Sequence, residues 1–183
     1  MSAPTKTAQR DARREVVQTS RTKGARITFF TSPKGDVWWT DTYTARPAPE
    51  ALACQLDAFE LPATLDVKVG KLTRSEPGGH PKPGAVAKAT ELLIRRLART
   101  DERVRLKPTG KRFDNGAGFE VVELRGQGVR ELLDARDDDL LGTRLLAERG
   151  EPIGRRPRPL LATTDDGVRG LAMGVLTAGG DPR

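Results

Sequence analysis

The chain has 183 residues, of which 36% are hydrophobic and 31% charged, and its formal net charge at pH 7 is +7. This length suits one domain, or one domain with appendages, and it is sufficient for a core of ordinary size. The single cysteine, Cys54, excludes an intrachain disulfide framework and a zinc site built on several cysteines. No stretch approaches the roughly 20 apolar residues of a membrane-spanning helix, and we expect a cytoplasmic protein.

The basic excess is concentrated in two parts of the chain. Residues 1–26 carry seven Lys/Arg against two Asp/Glu, and residues 66–112 carry thirteen against five. Residues 27–65 carry two against five, and residues 113–183 carry ten against thirteen. A basic balance favours a polyanionic partner, which could be nucleic acid, an anionic membrane surface or an acidic protein.

The clearest predicted element is a β-hairpin near the N-terminus. Residues 25–31 and 37–44 are rich in β-branched and aromatic residues, and residues 32–36 between them contain the Pro and Gly of a tight turn. An amphipathic helix is predicted over residues 48–59, and we expect it to pack on the hairpin. The order of hairpin and then helix is similar to that of the arm-type DNA-binding domains of phage integrases, in element order alone.

Further elements are predicted in the middle of the chain. Residues 65–72 alternate between apolar and polar and predict a third strand beside the hairpin. Residues 85–99 predict a strong amphipathic helix, with a basic outer surface. Short strands are predicted at residues 103–107, at a sheet edge, and at residues 119–124.

The C-terminal part is predicted to be mainly helical. Short helices are predicted over residues 128–136, 138–148 and 168–176. A Pro/Arg-rich linker is predicted at residues 151–159, and one strand at residues 160–163.

These elements predict an α+β fold. A small antiparallel sheet, nucleated by the hairpin, packs against the two amphipathic helices, and a smaller, mainly helical C-terminal portion follows. The predicted divisions are a flexible basic arm at residues 1–24, an α+β core domain at residues 25–124 and the helical portion at residues 125–183.

Gly126-Gln127-Gly128, between a predicted strand and a predicted helix, has three interpretations. It evokes a dinucleotide-binding fingerprint, but the charge of Glu131 at the third small position would oppose a phosphate. It also resembles the turn of the helix-hairpin-helix DNA-binding motif, in which backbone N–H groups point at a phosphate, although that motif needs a preceding helix. The pattern favours the third interpretation, a glycine turn.

The titratable candidates favour structural roles. Asp137-Asp138-Asp139 and Asp165-Asp166 suit helix caps and turns, since adjacent carboxylates do not converge on one metal ion. His80 lies in a Gly/Pro loop without a recognisable catalytic partner, and Cys54 is interpreted as a small buried hydrophobe. We therefore predict no catalytic residue, no metal and no cofactor.

The strongest candidate site is a set of cations that could contact phosphates. Its predicted members are Lys88, Arg95, Arg96, Arg99, Arg103, Arg105, Lys107, Lys111 and Arg112, with Trp38 as a ring on which a base could stack if it points outwards.

The predicted function is that of a non-enzymatic accessory protein that binds DNA or RNA, with low sequence specificity because the contacts are to phosphate. One alternative is a protein-interaction or assembly module that uses the edge of the Trp-containing hairpin. A second alternative is a small enzyme that uses some of Asp137, Asp139, Asp165 or His80.

Overall fold

A computed structural model describes residues 3–76, 78, 81–99, 103–149 and 157–177. The chain divides into two compact units, Met1–Arg95 and Arg96–Arg183. The boundary between the units falls inside residues 25–124, which the sequence pattern predicts to be one domain. The predicted division of the chain into three parts stays a prediction. Within each unit the strand pairs are antiparallel.

The first unit is a five-stranded sheet with helices. Its elements are helix α1 (Lys6–Thr19), strands β1 (Ile27–Thr31), β2 (Val37–Thr40) and β3 (Thr44–Pro47), helix α2 (Glu50–Leu56), strands β4 (Ala63–Lys68) and β5 (Lys71–Arg74), and the larger part of helix α3 (Pro83–Arg99). The strand order is β5-β4-β1-β2-β3. The predicted hairpin and a strand beside it are confirmed, because β1 pairs with β2 on one side and with β4 on the other. The single strand predicted over residues 65–72 is wrong, because β4 ends at Lys68 and turns back into β5.

The core of the first unit lies on one face of this sheet. Phe29 and Trp39 are cross-strand partners, and both are buried. Leu52 and Leu56 of α2 and Val16 of α1 belong to the same core cluster. The residues predicted as a flexible arm therefore contain a helix that packs into the core.

The second unit is built almost entirely of strands. Its elements are the end of α3, strands β6 (Arg103–Asp114), β7 (Glu120–Gly126) and β8 (Val129–Asp134), a 3-10 helix (Ala135–Gly142), and strands β9 (Arg144–Glu148), β10 (Pro159–Thr164) and β11 (Gly167–Met173). The strand order is β11-β10-β9-β6-β7-β8. The strand predicted at a sheet edge, residues 103–107, is instead the start of β6, which pairs with both β9 and β7.

The sheet of the second unit curls around an aliphatic core. All six strands contribute buried side chains, and Leu140 of the 3-10 helix joins them. Beyond β11, the Val175 N–H donates to the carbonyl of Leu132 in β8 at 2.8 Å. The chain that follows β11 thus bonds to β8, which lies at the other end of the strand order of this unit.

The predicted small sheet with a mainly helical C-terminal portion is wrong. Of the three helices predicted there, the first is β8, the second is the 3-10 helix and β9, and the third is β11. Residues Pro157–Pro159 of the predicted linker are described, and Pro159 begins β10; the rest of the linker lies outside the described residues.

One buried acid explains the error at β8. Val129, Leu132 and Leu133 have helical spacing, which favoured a helix. In the strand, Val129 and Leu133 face the core together with Glu131, which is 7% exposed. Arg158 donates to Glu131 at 2.7 Å, and this distant partner permits an acid where alternation requires an apolar residue.

Candidate nucleic-acid interface

The predicted cations on α3 differ in their partners. Lys88 is exposed, whereas Arg95 is paired with Glu91 at 2.9 Å and Arg96 with Glu148 at 3.5 Å. Arg99 lies in α3, but its side chain is outside the described residues. The helix surface is therefore partly neutralised by ion pairs, as many exposed charge runs are.

Two further predicted cations have structural partners. The side chain of Arg103 is only 5% exposed and lies 3.9 Å from Glu148, and burial lowers the pKa of Arg103. Arg112 donates twice to the carboxylate of Asp138, at 2.7 and 2.8 Å, and this hydrogen bonding raises the pKa of Arg112. Both side chains hold strands or the 3-10 helix in place.

Trp38 is unsuited to stacking on a base. Its side chain is 5% exposed, so no ring face is open to a ligand. The hairpin also lacks a free edge, because β1 is flanked by β2 and β4 and β2 is flanked by β1 and β3. The edges that the hairpin-edge alternative would use are therefore already paired with strands of the same unit.

The remaining predicted cations lie on β6, where alternation directs them outwards. Val104 and Leu106 are core residues, and Arg105 and Lys107 on the opposite face are exposed. Lys107 pairs in register with Arg125 of β7.

Arg125 in turn pairs with Arg130 of β8. Cross-strand partners lie on the same face of a sheet, so Lys107, Arg125 and Arg130 form a line across three strands, with Arg105 two residues before Lys107. We call these four residues the basic row.

Sequence analysis missed Arg125 and Arg130. They belong to an acidic part of the chain, and Arg130 falls within a segment predicted to be helical. The alternation of residues 120–126 is a signal that would have directed Arg125 outwards, but the register that aligns it with Lys107 has no local signal.

Glu123 lies two residues before Arg125 on β7, on the same face as the basic row, and is 2% exposed. Its Oε1 accepts hydrogen bonds from Arg130 Nε at 2.8 Å and from Arg125 Nη2 at 3.3 Å. Burial alone would raise the pKa of Glu123, but the hydrogen bonds from Arg125 and Arg130 and the positive charge of Arg125 help to hold the pKa below its ordinary value. The row thus contains four cations and one carboxylate that remains ionised at neutral pH.

This carboxylate offsets only part of the repulsion within the row. Like charges directly opposite one another destabilise a sheet, and Lys107 faces Arg125 while Arg125 faces Arg130. Among the described residues, the second oxygen of Glu123, Oε2, has no hydrogen-bond partner. The row therefore keeps an uncompensated positive charge that a polyanion could neutralise.

A bulge places a further cation beside the row. The β6–β7 register shifts between Pro108 and Arg112, so that residues 109–111 lie across from Glu123 alone. Gly110 has φ +82°, which glycine adopts without strain, and Thr109 Oγ1 donates to the Glu123 carbonyl at 3.4 Å. Lys111 in this bulge is exposed.

The Gly126-Gln127-Gly128 motif is a hairpin turn. Gly126 pairs with Val129, and Gln127 and Gly128 between them have φ of 34° and 79°, as a type I′ turn requires. A strand follows the motif where both nucleotide-binding interpretations need a helix, so those two interpretations are wrong.

Acidic residues in and beside the two predicted runs cap the 3-10 helix, are buried or form ion pairs with arginines. Asp134 caps the 3-10 helix by accepting the Arg136 N–H at 3.0 Å, and Asp137 is fully buried. Asp165 pairs with Arg144 at 3.0 Å and Asp166 with Arg169 at 3.1 Å. Within the part of the chain that the structure describes, no cluster of His, Cys, Asp or Glu could hold a metal ion.

Two further residues considered as possible catalytic groups are Cys54 and His80. Cys54 was predicted to be buried, and this is wrong because it is exposed on α2. His80 lies outside the described residues.

In comparisons with protein-family models, curated proteins and solved structures, nothing matches the chain. No helix in the described ranges is long and apolar enough to cross a membrane.

Proposed function

We propose that the protein is a non-enzymatic nucleic-acid-binding accessory protein and that the basic row is its interface. The observation that supports this is the cross-strand alignment of Lys107, Arg125 and Arg130 on one face. Guanidinium and ammonium groups in a line can contact successive phosphates, and Arg can do so with two parallel hydrogen bonds.

Physical chemistry favours an extended anion over a small one at this row. Binding a polyanion removes the repulsion between neighbouring cations at several positions together, and it releases condensed counterions. The basic row and Lys111 together provide five cations, on β6, β7 and β8. Among the described residues, Arg105, Lys107 and Lys111 form no ion pair, so none of their ion pairs has to break when a polyanion binds. Phosphate contacts carry no direct sequence information, so the proposed binding has low specificity.

The test is fluorescence anisotropy with labelled duplex DNA, single-stranded DNA and RNA at several salt concentrations. If about five phosphates are neutralised, the slope of log K against log salt should be roughly −4.5 for a duplex. The double variant Arg105→Gln/Lys107→Gln should reduce the magnitude of that slope by about 2. Glu123→Gln should raise the affinity, because it removes the carboxylate of the row.

A matched control is Arg144→Gln/Arg169→Gln, which removes the same charge from strands of the same unit, where both residues are already ion-paired. Its slope should stay within experimental error of the wild type. A second comparison, Lys88→Gln/Arg95→Gln, tests the predicted contacts on α3. If this pair or the control matched the effect of the β6 pair, the interface would not be the basic row, and no binding near about 0.1 M salt would refute the proposed function.

A further inference from the structure

The first unit contains a cleft of about 760 Å³, a size typical of small-molecule sites. Its walls come from the outer faces of β1 and β4, the end of β5, the turn after β2 and the beginning of α3. The cleft belongs to the first unit and the basic row to the second, and the proposed function does not use the cleft.

Positive charge predominates on the cleft wall. Arg26, Arg74 and Lys82 line it, and none of the three forms an ion pair with another described residue. Arg26 Nη1 donates to the Gly78 carbonyl at 3.0 Å, and the Arg74 guanidinium lies 6.0 Å from the centre of the Phe59 ring. Both guanidinium groups are thus positioned by contacts other than close ion pairs, as an anion-binding site requires.

Among the described residues, two acids also line the cleft, Asp41 and Glu76, and the three cations outnumber them. Asp41 accepts the backbone N–H groups of Tyr43 at 3.0 Å and Thr44 at 2.8 Å through Oδ1, and that of Arg21 through Oδ2. These three hydrogen bonds hold the carboxylate in the turn after β2. Glu76 is the exposed acid that remains.

Hydroxyl groups form the inner part of the cleft. Thr28 and Thr64 are cross-strand partners, and their Oγ1 atoms lie 2.8 Å apart. Thr22 Oγ1 is buried and has no hydrogen-bond partner among the described residues. A buried hydroxyl without a partner is uncommon.

A rigid turn presents an aromatic ring at the cleft. Thr42 has φ +79°, an outlier for a β-branched residue, and its N–H donates to Thr40 Oγ1 at 3.0 Å. The turn leaves Tyr43 50% exposed, with the Arg21 guanidinium 5.6 Å from its ring centre. Outliers held by several hydrogen bonds cluster at ligand sites.

We propose that this cleft binds a nucleoside 5′-phosphate. Arg26, Arg74 and Lys82 contact the phosphate, the threonine hydroxyls contact the ribose, and the ring of Tyr43 stacks on the base. A free nucleotide and one unstacked nucleotide of a single strand offer the same chemistry, and the experiment below includes both.

The test is isothermal titration calorimetry of the full chain with each of the four 5′-nucleoside monophosphates, inorganic phosphate and ribose 5-phosphate. At least one monophosphate should bind saturably and more tightly than ribose 5-phosphate, which lacks a base. Arg74→Gln and Tyr43→Ala should each weaken that binding by about tenfold, the usual effect of losing one charged hydrogen bond or one stacked ring. Tyr43→Phe keeps the ring and should stay within about threefold of the wild type.

Matched controls are available for both variants. Lys71 lies on the same strand as Arg74 but does not line the cleft, so Lys71→Gln should leave binding unchanged. Phe119 is another exposed ring with an arginine over it, in the second unit, where Arg136 lies 5.2 Å from the ring centre. Phe119→Ala should therefore leave binding unchanged, and thermal unfolding of every variant checks that it is folded.

A 5′-phosphorylated trinucleotide distinguishes the two sources. If it binds and the mononucleotides do not, with the same sensitivity to Arg74→Gln and Tyr43→Ala, the ligand is a nucleotide of a strand. The proposal is overturned if nothing binds up to about 5 mM, if inorganic phosphate binds as tightly as the nucleotides, or if Arg74→Gln and Tyr43→Ala bind like the controls. These outcomes are independent of the basic row, since the Arg105→Gln/Lys107→Gln variant should keep nucleotide binding.

Discussion

The two units of the chain bury their sheets in different ways. The first unit covers one face of its sheet with α1 and α2, and large aromatic side chains, Phe29 and Trp39, fill its core. The second unit curls six strands around a core that contains only aliphatic side chains. A sheet that curls on itself needs smaller side chains, since its inner faces converge.

The units also differ in how they bury acids. Asp41 in the first unit is held by three backbone N–H groups. Glu123 and Glu131 in the second unit are held by arginine side chains. Asp134 of the second unit also accepts a backbone N–H, from Arg136, so the difference lies in Glu123 and Glu131. The partner of Glu131, Arg158, is 27 residues away in the chain, and such a distant partner has no local signal in the sequence.

The largest expected effect concerns the aromatic core. Trp39→Ala should lower the free energy of unfolding by about 3–5 kcal/mol, because it leaves a cavity beside Phe29. The counterpart in the second unit, Leu133→Ala, should cost about 2–5 kcal/mol. Urea denaturation followed by circular dichroism measures both, with Leu92→Ala, 52% exposed, as the control. A loss below about 1 kcal/mol for Trp39→Ala would contradict the core described for the first unit.

A second prediction tests the buried ion pair of the second unit. Glu131→Ala should cost about 3–5 kcal/mol, because it removes the carboxylate to which Arg158 donates, and the Arg158 side chain is 12% exposed. Replacing both residues, as Glu131→Met/Arg158→Met, should recover most of this loss. The single variants Glu131→Met and Arg158→Met complete a double-mutant cycle, measured by urea denaturation. If the double replacement cost as much as the sum of the singles, the two residues would not interact.

The third prediction concerns pH. The pKa of Glu123 lies below its ordinary value of 4.5 for the reasons given above, and hydrogen bonds from Ser75 and the Arg26 N–H lower the pKa of Asp66 below 3.8. A carboxyl with a lowered folded-state pKa contributes stability above its ordinary pKa, and that contribution is lost as the pH falls through the folded-state value.

The stability difference between the wild type and Glu123→Gln should therefore narrow as the pH falls from about 6 to about 3. The difference for Asp66→Asn should narrow in the same direction. Glu123→Gln should show the larger difference at neutral pH, because it also removes the negative charge that offsets the repulsion between the cations of the basic row. Denaturant titrations at several pH values measure both differences. A difference that widened towards low pH would mean that folding disfavours the ionised form of the carboxyl group.

The smallest effect concerns the turns. Gln127→Asn should stabilise the second unit by about 0.5 kcal/mol, because Asn-Gly suits a type I′ turn better than Gln-Gly. Gly128→Ala should cost about 1 kcal/mol at its positive φ of 79°. Gly35→Ala in the β1–β2 turn of the first unit, with φ 92°, should cost a similar amount. Thermal unfolding can rank the three variants, and a stabilising Gly128→Ala would refute the turn assignment.

Much of the first unit could be predicted from its sequence. The strands around Phe29 and Trp39, the turn at Gly35 and the helix that begins near residue 48 all follow from local periodicity and turn residues. The prediction extended the second strand through residues 41–44, because Asp41 and Tyr43 continue its alternation. Asp41 instead uses its carboxylate to close a turn, and Thr44 starts β3.

The candidate interface could be predicted only in part. Arg105 and Lys107 were identified from the charge of the central block, and the structure adds Arg125 and Arg130 to them through strand register. Charge density along the chain does not reveal which cations meet an acid, and so the same block also includes Arg95, Arg96 and Arg112, which are paired with acids.

The sequence by itself determined the hairpin, the strand beside it and helix α3, because turn residues and apolar periodicity within about 15 residues suffice to specify them. Only the tertiary structure decided that the C-terminal part is a curled sheet. In the sequence, Glu131 interrupts the apolar alternation that is typical of a strand. In the structure, Arg158, 27 residues away, pairs with Glu131 and allows it to be buried in β8. The basic row was decided in the same way, since alignment across three strands depends on register and register depends on which faces are buried together.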